Sequence, residues 1–507
     1  MLFFRKAKKE PPSGKTTERR FSASLDGNVA LLREIFSDVD PLQYRFIENR
    51  TDGRRFCFVY FNGIVDNDLI DQYVLRPLMT AEDLPGGKPV VDFLLRRVLW
   101  INGGETTGAM SEIIRNLSYG DSLLLADGAD EALLIDTKNF HTRAVAEPEG
   151  EKILSGPREG FTESLLLNLS LVRRKLRTND LKMKFITVGE RAQTQLTIVY
   201  LESLVNQTVL AEVKRRLDAI RIDAILDANY ITELIRDHPR TIFRTTGYTE
   251  RPDVVAGKML EGRVAIFVDG TPVVLTVPYL FIENFQSSED YYLNFYYTSF
   301  SRLLRIIGFL LSITVPALYV ATVSFHQEML PVNMMINIAV GSHNVPLPSF
   351  LEAFALIIMF DILRETGLRM PTGIGQALSI VGALVVGQAA VEANFITAPM
   401  IIIAAISGIT SLLVPKMNAP VIIIRLGLLL LASFLGFFGL TLGLSVVAIH
   451  VLNLESFGVE QLTRDGQFGV QALKDTLIRA PWDRMYKRPE FLAEDAVRMR
   501  RDGGERR

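Results

Sequence analysis

Apolar residues are concentrated in one long stretch near the C-terminus, whereas the first 300 residues have the mixed pattern of a water-soluble protein. Between Ile306 and Leu454 only nine residues are Asp, Glu, Lys or Arg. A bilayer core about 30 Å thick takes roughly 20 apolar residues per helical crossing. The pattern predicts an α/β head followed by an all-α, multi-span membrane domain. Five apolar segments are predicted in that domain: residues 306–325, 349–363, 373–391, 395–415 and 421–452.

The head shows the same order of predicted elements twice. Apolar strands lie shortly before Asp66 and Asn206, and each of these polar residues is placed to cap the helix that follows. Asp127-Gly128 and Asp269-Gly270 each lie between two apolar runs, which is a strong hairpin signal because both turn residues need positive φ. The recurrence favours two similar α/β subdomains. Two unrelated α/β units that agree by chance are the alternative.

Composition sets the other boundaries. Residues 1–20 are basic and have few apolar side chains, which is typical of a disordered tail or of a weak tether to anionic lipid. The aromatic cluster at 291–297 is typical of a chain at the headgroup level. The predicted domains are a disordered basic tail (1–20), α/β subdomain 1 (21–155), α/β subdomain 2 (156–290), an interfacial elbow (291–305), the membrane domain (306–454) and a charged C-terminal tail (455–507).

Charge and cysteine content argue against several classes of function. The formal net charge is −2 at pH 7, which argues against nucleic-acid binding. Cys57 is the only cysteine and the five histidines are scattered, so the sequence predicts no intrachain disulfide and no metal site. It has no glycine-flanked nucleophile. We therefore expect neither an enzyme nor a cofactor. Because the chain starts without a signal-peptide core, we expect the head to lie in the cytosol.

Lys and Arg in the short loops predict the orientation of the membrane domain. Two arginines before the first segment place the head inside, and the loop 326–348, which has neither residue type, lies outside. Continued alternation would leave the tail outside if segment five crossed once, yet residues 455–507 hold eleven Lys and Arg. Either segment five is a re-entrant pair broken at Gly436 and Gly439, or segment two does not cross. The first option is preferred and keeps the tail in the cytosol.

The third apolar segment carries the most suggestive chemistry. Its small residues let helices approach closely in lipid. One predicted helical face is polar at one end and has mostly small side chains along its length. That face suits a pore lining, and close packing within one subunit explains it equally well. The face contains Gln376, Ser379, Ala383, Val386 and Ala390. The glycines assigned to helix packing are Gly373, Gly375, Gly382 and Gly387.

Charged and polar residues beside these segments are further candidates. Glu392 and Asn394 lie where the outer mouth of such a pore is expected, and in an oligomer they would form a cation-attracting ring. Ionisable residues in or beside apolar spans usually face protein or water and are functional by default. An internal pair of Arg364 with one of its acidic neighbours is the alternative. The ionisable residues around segment two are Glu352, Asp361, Arg364 and Glu365.

Several stretches resemble the A subunits of GerA-type spore germination receptors, from about residue 40 to 458. The stretches are GPREGFTES (156–164), RTTGYTERPDVVAGKMLEGRVAIFVDGTP (244–272), ENFQSSEDYY (283–292), FHQEMLP (325–331), LRETGLRMPTGIGQALSIVGALVVGQAAVEA (363–393) and SFG (456–458). By this resemblance the family pattern falls on His326, Gln327, Glu328 and Pro331, on Glu352, Arg364 and Glu365, and on Gly373–Gln376.

The resemblance implies a multi-pass protein of the spore inner membrane. Such A subunits work in nutrient sensing with a permease-like B subunit and a lipoprotein C subunit, and they are thought to form rings that conduct ions when triggered. The predicted partners are therefore these subunits, further copies of the chain and the bilayer. The alternatives are a paralogous channel that amplifies the germination signal, a secondary transporter subunit, and a scaffold whose membrane block is only an anchor.

Overall fold

A computed structural model describes most of the 507-residue chain. The described residues are 20–82, 84–85, 89–101, 103–138, 147–148, 150–343, 345–369, 387–462, 475–476, 478–488, 492–493, 495 and 497–498. They form two compact units. The head unit holds the described residues of Met1–Pro239, Thr246–Pro278 and Met485–Arg507, and the helical unit holds those of Arg240–Thr245 and Tyr279–Arg484.

The first half of the head unit is an antiparallel five-stranded sheet in the order β1-β2-β4-β5-β3. Alternate residues of β2 join two different hydrophobic clusters, so the sheet is covered on both faces. The strands are β1 Leu42–Glu48, β2 Arg55–Phe61, β3 Gly104–Thr107, β4 Ser122–Ala126 and β5 Ala132–Ile135. The helices are α1 Leu25–Ile35, α2 Asn67–Leu69, α3 Arg76–Thr80, α4 Pro89–Phe93 and α5 Met110–Tyr119, with π-helical turns at Ile70–Leu75 and Leu94–Val98.

The second half repeats this topology, with an antiparallel sheet in the order β6-β7-β9-β10-β8. The strands are β6 Leu181–Val188, β7 Thr194–Leu201, β8 Gly247–Thr249, β9 Val264–Val268 and β10 Val274–Val277. The helices are α6 Leu165–Lys175, α7 Gln207–Asp218, α8 Ala228–Ile235 and α9 Pro252–Met259.

Local structure also matches between the two halves. The hairpins predicted at Asp127-Gly128 and Asp269-Gly270 are confirmed, since β4 pairs with β5 and β9 with β10. In each pair only the glycine has positive φ, because the connecting loops are longer than two residues. Asn28 and Asn168 brace the starts of α1 and α6 with the same two hydrogen bonds to the residue six positions earlier. The shared bracing supports the prediction of two similar subdomains.

The C-terminal part of the chain returns to the head unit. Ala493 forms an antiparallel β-bridge with Val205, which directly precedes the cap of α7. The Arg488 Nε donates to the carbonyl oxygen of Leu260 at 2.6 Å. The described residues of 485–498 therefore belong to the same folded body as the second sheet.

We expect Gly262→Ala to detach this C-terminal segment. Gly262 has φ +88°, and a Cβ there would lie 2.6 Å from the carbonyl oxygen of Leu492. Gly270 is the matched control, because it has φ +85° and nothing within 4 Å of an added Cβ. Both changes carry a backbone strain of about 1–2 kcal/mol. Only Gly262→Ala should speed proteolysis of the C-terminal segment, and equal cleavage rates in the two variants would contradict the packing described.

The helical unit contains two described helices that are long and apolar enough to cross a membrane, Phe295–Phe325 and Pro415–Leu452. The first begins inside the predicted elbow, so elbow and segment one share one helix. The helices are α10 Phe295–Phe325, α11 Val332–His343, α12 Ser349–Arg369, α13 Ala398–Ser411 and α14 Asn418–Leu452. Shorter elements are strands β11 Glu455–Ser456 and β12 Val459–Glu460 and 3-10 turns at Phe281–Phe285, Ser288–Tyr291, Gln327–Met329, Pro415–Met417 and Trp482–Arg484.

Helix α14 reverses its direction at Gly436, which has φ 57° and ψ −137°. A Cβ on Gly439 would lie 2.1 Å from the Leu431 carbonyl oxygen, and one on Gly443 would lie 2.5 Å from Leu428 Cδ2. In a straight helix, residues eight positions apart are about 12 Å apart. The second half of α14 therefore folds back along the first half. Segment five is therefore a helical hairpin and not a single straight helix.

Contacts of α10 give the helical unit a proximal end, where α10 starts, and a distal end, where it stops. At the proximal end Lys416, just before α14, donates to the carbonyl oxygen of Gln286 at 3.3 Å. At the distal end the turn of α14 packs against His326. Near the end of α14 the His450 ring lies 5.8 Å from the ring of Phe243, which packs on the 3-10 turn before α10. Both ends of α14 therefore lie at the proximal end.

Candidate functional site

Most of the predicted pore face lies outside the described residues. This applies to Gln376, Ser379, Ala383 and Val386 and to the packing glycines Gly373, Gly375 and Gly382. Ala390 packs at the edge of a hydrophobic cluster. Gly387 has no atom within 4 Å of an added Cβ in the described structure. Glu392 and Asn394 are exposed, and Glu392 accepts a hydrogen bond from Gln388 at 2.9 Å.

The residues assigned by the family pattern after segment one lie at the distal end. The His326 ring is 4.6 Å from the Phe437 ring, in the second half of α14. Gln327 donates to the carbonyl oxygen of Val323 at 2.7 Å, which satisfies one of the free carbonyls at the end of α10. Glu328 is exposed. Among the contacts described for these residues, the one between the His326 and Phe437 rings fixes α14 against the end of α10.

Glu352 is a buried carboxylate that caps α13. Its Oε2 accepts from the backbone nitrogen of Thr397 at 2.8 Å and from the Thr397 hydroxyl at 3.0 Å. Thr397 is the N-cap residue of α13, where a negative charge is favourable. The contact joins the start of α12 to the start of α13. Because Val320 of α10 shares a hydrophobic cluster with Ile396, this junction lies towards the distal end.

Asp361, in the middle of α12, lies between two arginines. Arg425 of α14 donates from Nη2 to Asp361 Oδ2 at 2.6 Å, and Arg364 Nη2 lies 3.2 Å from Asp361 Oδ1. The Arg425 side chain is only 1% exposed, and the other two are 14% exposed. Glu365 instead pairs with Arg369, at 2.7 Å on the exposed side of α12. Of the two internal pairs considered from sequence, the structure has Arg364 with Asp361.

Two serines extend this cluster to α10 and α13. Arg425 Nη1 donates to the Ser407 hydroxyl at 3.1 Å, and that hydroxyl donates to the carbonyl oxygen of Ser312 at 2.7 Å. Four helices therefore meet around one guanidinium. We call the Asp361, Arg364, Arg425 and Ser407 side chains the arginine cluster.

Sequence reasoning missed Arg425. The signal was present, because Arg425 is the only Asp, Glu, Lys or Arg in the apolar run 421–452. A charged residue inside a span is costly and usually faces a partner. The partner, Asp361, is 64 positions away, so no local pattern connects the two.

A second ion-pair network lies at the proximal end. Arg302 is 1% exposed and donates from Nε to Asp290 at 2.8 Å and from Nη1 to Asp475 at 3.0 Å. Arg305 Nη2 lies 3.0 Å from the other oxygen of Asp290. These are the two arginines that predicted the orientation of segment one. The structure pairs them within the protein, where they tie the start of α10 to the chain that follows α14.

The chemistry that this arrangement supports is electrostatic. In the described part of the chain, no three His, Cys, Asp or Glu side chains are grouped to hold a metal ion. The arginine cluster places two guanidiniums around one carboxylate between apolar helices. Its physical roles are to hold those helices in register and to set the local charge of the helix layer.

Known proteins are similar in sequence to most of this chain. A family model described as Bacillus/Clostridium GerA spore germination protein matches residues 30–491. Spore germination protein KA of Bacillus subtilis (strain 168) is 39% identical over 485 residues, which is 95% of this chain and 89% of that protein. Spore germination protein B1 of the same organism is 35% identical over 484 residues, which is 95% of this chain and 100% of that protein.

A solved structure is also similar to part of the chain. It is the N-terminal domain of the A subunit of the Bacillus megaterium spore germinant receptor GerK3, with 32% sequence identity and a TM-score of 0.42. The similarity covers 52% of this chain and 98% of that structure.

Proposed function

Because the chain belongs to the GerA family of spore germination proteins, we propose that it is the A subunit of a spore germinant receptor and forms a ligand-triggered ion channel as a homo-oligomer. The observation that carries the proposal is a family match that runs through the head unit, the helical unit and the C-terminal segment. The match therefore includes residues of each of these parts.

The arginine cluster supports a channel over a simple anchor. Burying charged side chains among apolar helices carries a desolvation penalty of several kcal/mol per ion, and replacing such pairs by apolar residues often stabilises a protein. A simple anchor needs only apolar packing between its helices, so it has less use for Arg425 and Asp361. In a protein whose helices change position, such paired charges hold the helices in one of a few discrete positions.

The head unit includes described residues of the C-terminal tail. This supports a tail on the same side of the membrane as the head. Residues 20–239 and the described residues of 485–498 belong to one compact unit, which can occupy only one side of a bilayer. The chain between them must then cross an even number of times. A re-entrant α14 satisfies this count together with single crossings by the four earlier segments. We assign the shared side to the cytosol and the membrane to the spore inner membrane.

The described residues on both sides of segment three support a crossing there. Helix α12 starts at the distal end, passes Asp361 at mid-layer and ends at Arg369, another two turns towards the proximal end. Thr397 lies back at the distal end. We retain the face of Gln376, Ser379, Ala383, Val386 and Ala390 as the pore lining in a ring of copies. We retain Glu392 and Asn394 as its mouth.

The proposed complex includes a permease-like B subunit and a lipoprotein C subunit, and its trigger is a nutrient. A test is to reconstitute the three subunits in sealed vesicles and measure potassium efflux when the nutrient is added. Gln376→Leu and Ser379→Leu should each reduce the flux at least about tenfold, because an apolar side chain removes a polar ligand for a partly dehydrated ion. Ser445→Leu, at an exposed position of α14, is the control and should conduct normally. Unchanged flux in both pore variants would overturn the pore assignment.

Cysteine labelling tests the proposed sidedness. Burial raises the pKa of the Cys57 thiol to about 12, so this thiol stays protonated and unreactive at pH 7.5. Cysteines introduced at Phe395 and Ile478, both exposed, should react with a membrane-impermeant maleimide from opposite sides of sealed vesicles. Labelling of both from one side would contradict a crossing by segment four followed by a re-entrant α14.

A further inference from the structure

The charges of the side chains in the arginine cluster do not balance one another. Arg364 and Arg425 each contact a different oxygen of Asp361, so one carboxylate faces two guanidiniums. Arginine stays protonated in proteins. The cluster therefore carries one excess positive charge between apolar helices.

The two other carboxylates described on α12 are not placed to neutralise this charge. Glu352 is nine residues before Asp361 on α12, about 14 Å along the helix, and is engaged by Thr397. Glu365 pairs with Arg369 on the exposed side of α12. Residues 370–386, outside the described structure, contain no Asp or Glu in their sequence.

The cluster also has buried hydrogen-bond donors to spare. Arg425 Nε and Arg364 Nη1 are both buried and have no hydrogen-bond acceptor among the described residues. The Ser407 hydroxyl already donates to Ser312, so it accepts from Arg425 and offers no further proton. Leaving a buried charged donor unsatisfied costs more than leaving a neutral one unsatisfied.

We propose that the arginine cluster binds one small monovalent anion of the chloride class. A single negative charge matches the single excess positive charge, and N–H donors of two guanidiniums suit a spherical acceptor. This site is independent of whether the protein conducts ions.

The test uses the full chain purified in detergent. Its melting temperature is measured in sodium chloride and in sodium gluconate at equal ionic strength, over a concentration series. Gluconate is a much larger monovalent anion than chloride and serves as the reference. Chloride should raise Tm saturably by about 2–4 °C, since a ligand that binds only the folded state stabilises it. An identical Tm in the two salts would overturn the proposal.

Two variants and one control make the test specific. Arg364→Gln should abolish the chloride effect, and Arg369→Gln, an exposed arginine on the same helix, should leave it intact. Asp361→Asn should enlarge the chloride effect, because it adds a second uncompensated positive charge. If Arg364→Gln does not fold, the Asp361→Asn series decides alone. A chloride effect that persists in Arg364→Gln, or that does not grow in Asp361→Asn, would overturn the site.

Discussion

Asp361→Asn is expected to destabilise the helical unit by about 3–5 kcal/mol, which is the usual loss when a buried charge loses its partner. The substitution keeps the shape of the side chain but leaves Arg425 and Arg364 without a counter-charge. Arg425 is 1% exposed and cannot reach water. Loss of the carboxylate therefore leaves an uncompensated guanidinium inside the apolar layer.

The measurement is thermal unfolding of the full chain in detergent without chloride, so that no small anion replaces the lost charge. The matched control is Glu365→Gln, four residues along α12, where the carboxylate pairs with Arg369 on the surface. Exposed ion pairs contribute about 0–1 kcal/mol, so this variant should melt close to the wild type. Similar losses of stability in the two variants would show that the buried ion pair contributes no more to stability than the exposed one.

Local signals predicted the parts of the fold that depend on neighbouring residues. Asp66 and Asn206 do cap their helices, by accepting from backbone nitrogens two or three residues ahead. The Asp-Gly hairpins formed because turn chemistry acts within a few residues. The placement of β3 and β8 beside the second strand of each hairpin joins segments far apart in the chain, and no local pattern encodes it.

The candidate site shows the same difference between local signals and long-range contacts. The pair of Arg364 with Asp361 follows from three-residue spacing on one helix, and the sequence raised it as an alternative. Arg425 was missed because its partner lies on another helix. The glycines of segment five suggested a break, and the basic tail favoured a re-entrant pair. Neither signal showed which residues of the two halves contact each other. Only the contacts of Gly439 and Gly443 show that the two halves run side by side.

Gly439→Ala is expected to open the hairpin of α14 and to destabilise the helical unit by about 3 kcal/mol or more, at the upper end of what overpacking costs. A Cβ there would lie 2.1 Å from the carbonyl oxygen of Leu431, which is backbone and cannot rotate away. The two halves would have to separate. Thermal unfolding in detergent measures the loss.

The control is Gly427→Ala, on the same helix and with nothing within 4 Å of an added Cβ. Alanine is favoured over glycine inside a helix by about 1 kcal/mol, so this variant should melt at the same temperature as the wild type or higher. The two alanine substitutions are thus expected to change the stability in opposite directions. With the hairpin open, a cysteine at Ile478 should also label from both sides of sealed vesicles, because the even number of crossings depends on that turn. A Gly439→Ala protein that melts like Gly427→Ala and labels from one side would show that α14 does not fold back on itself.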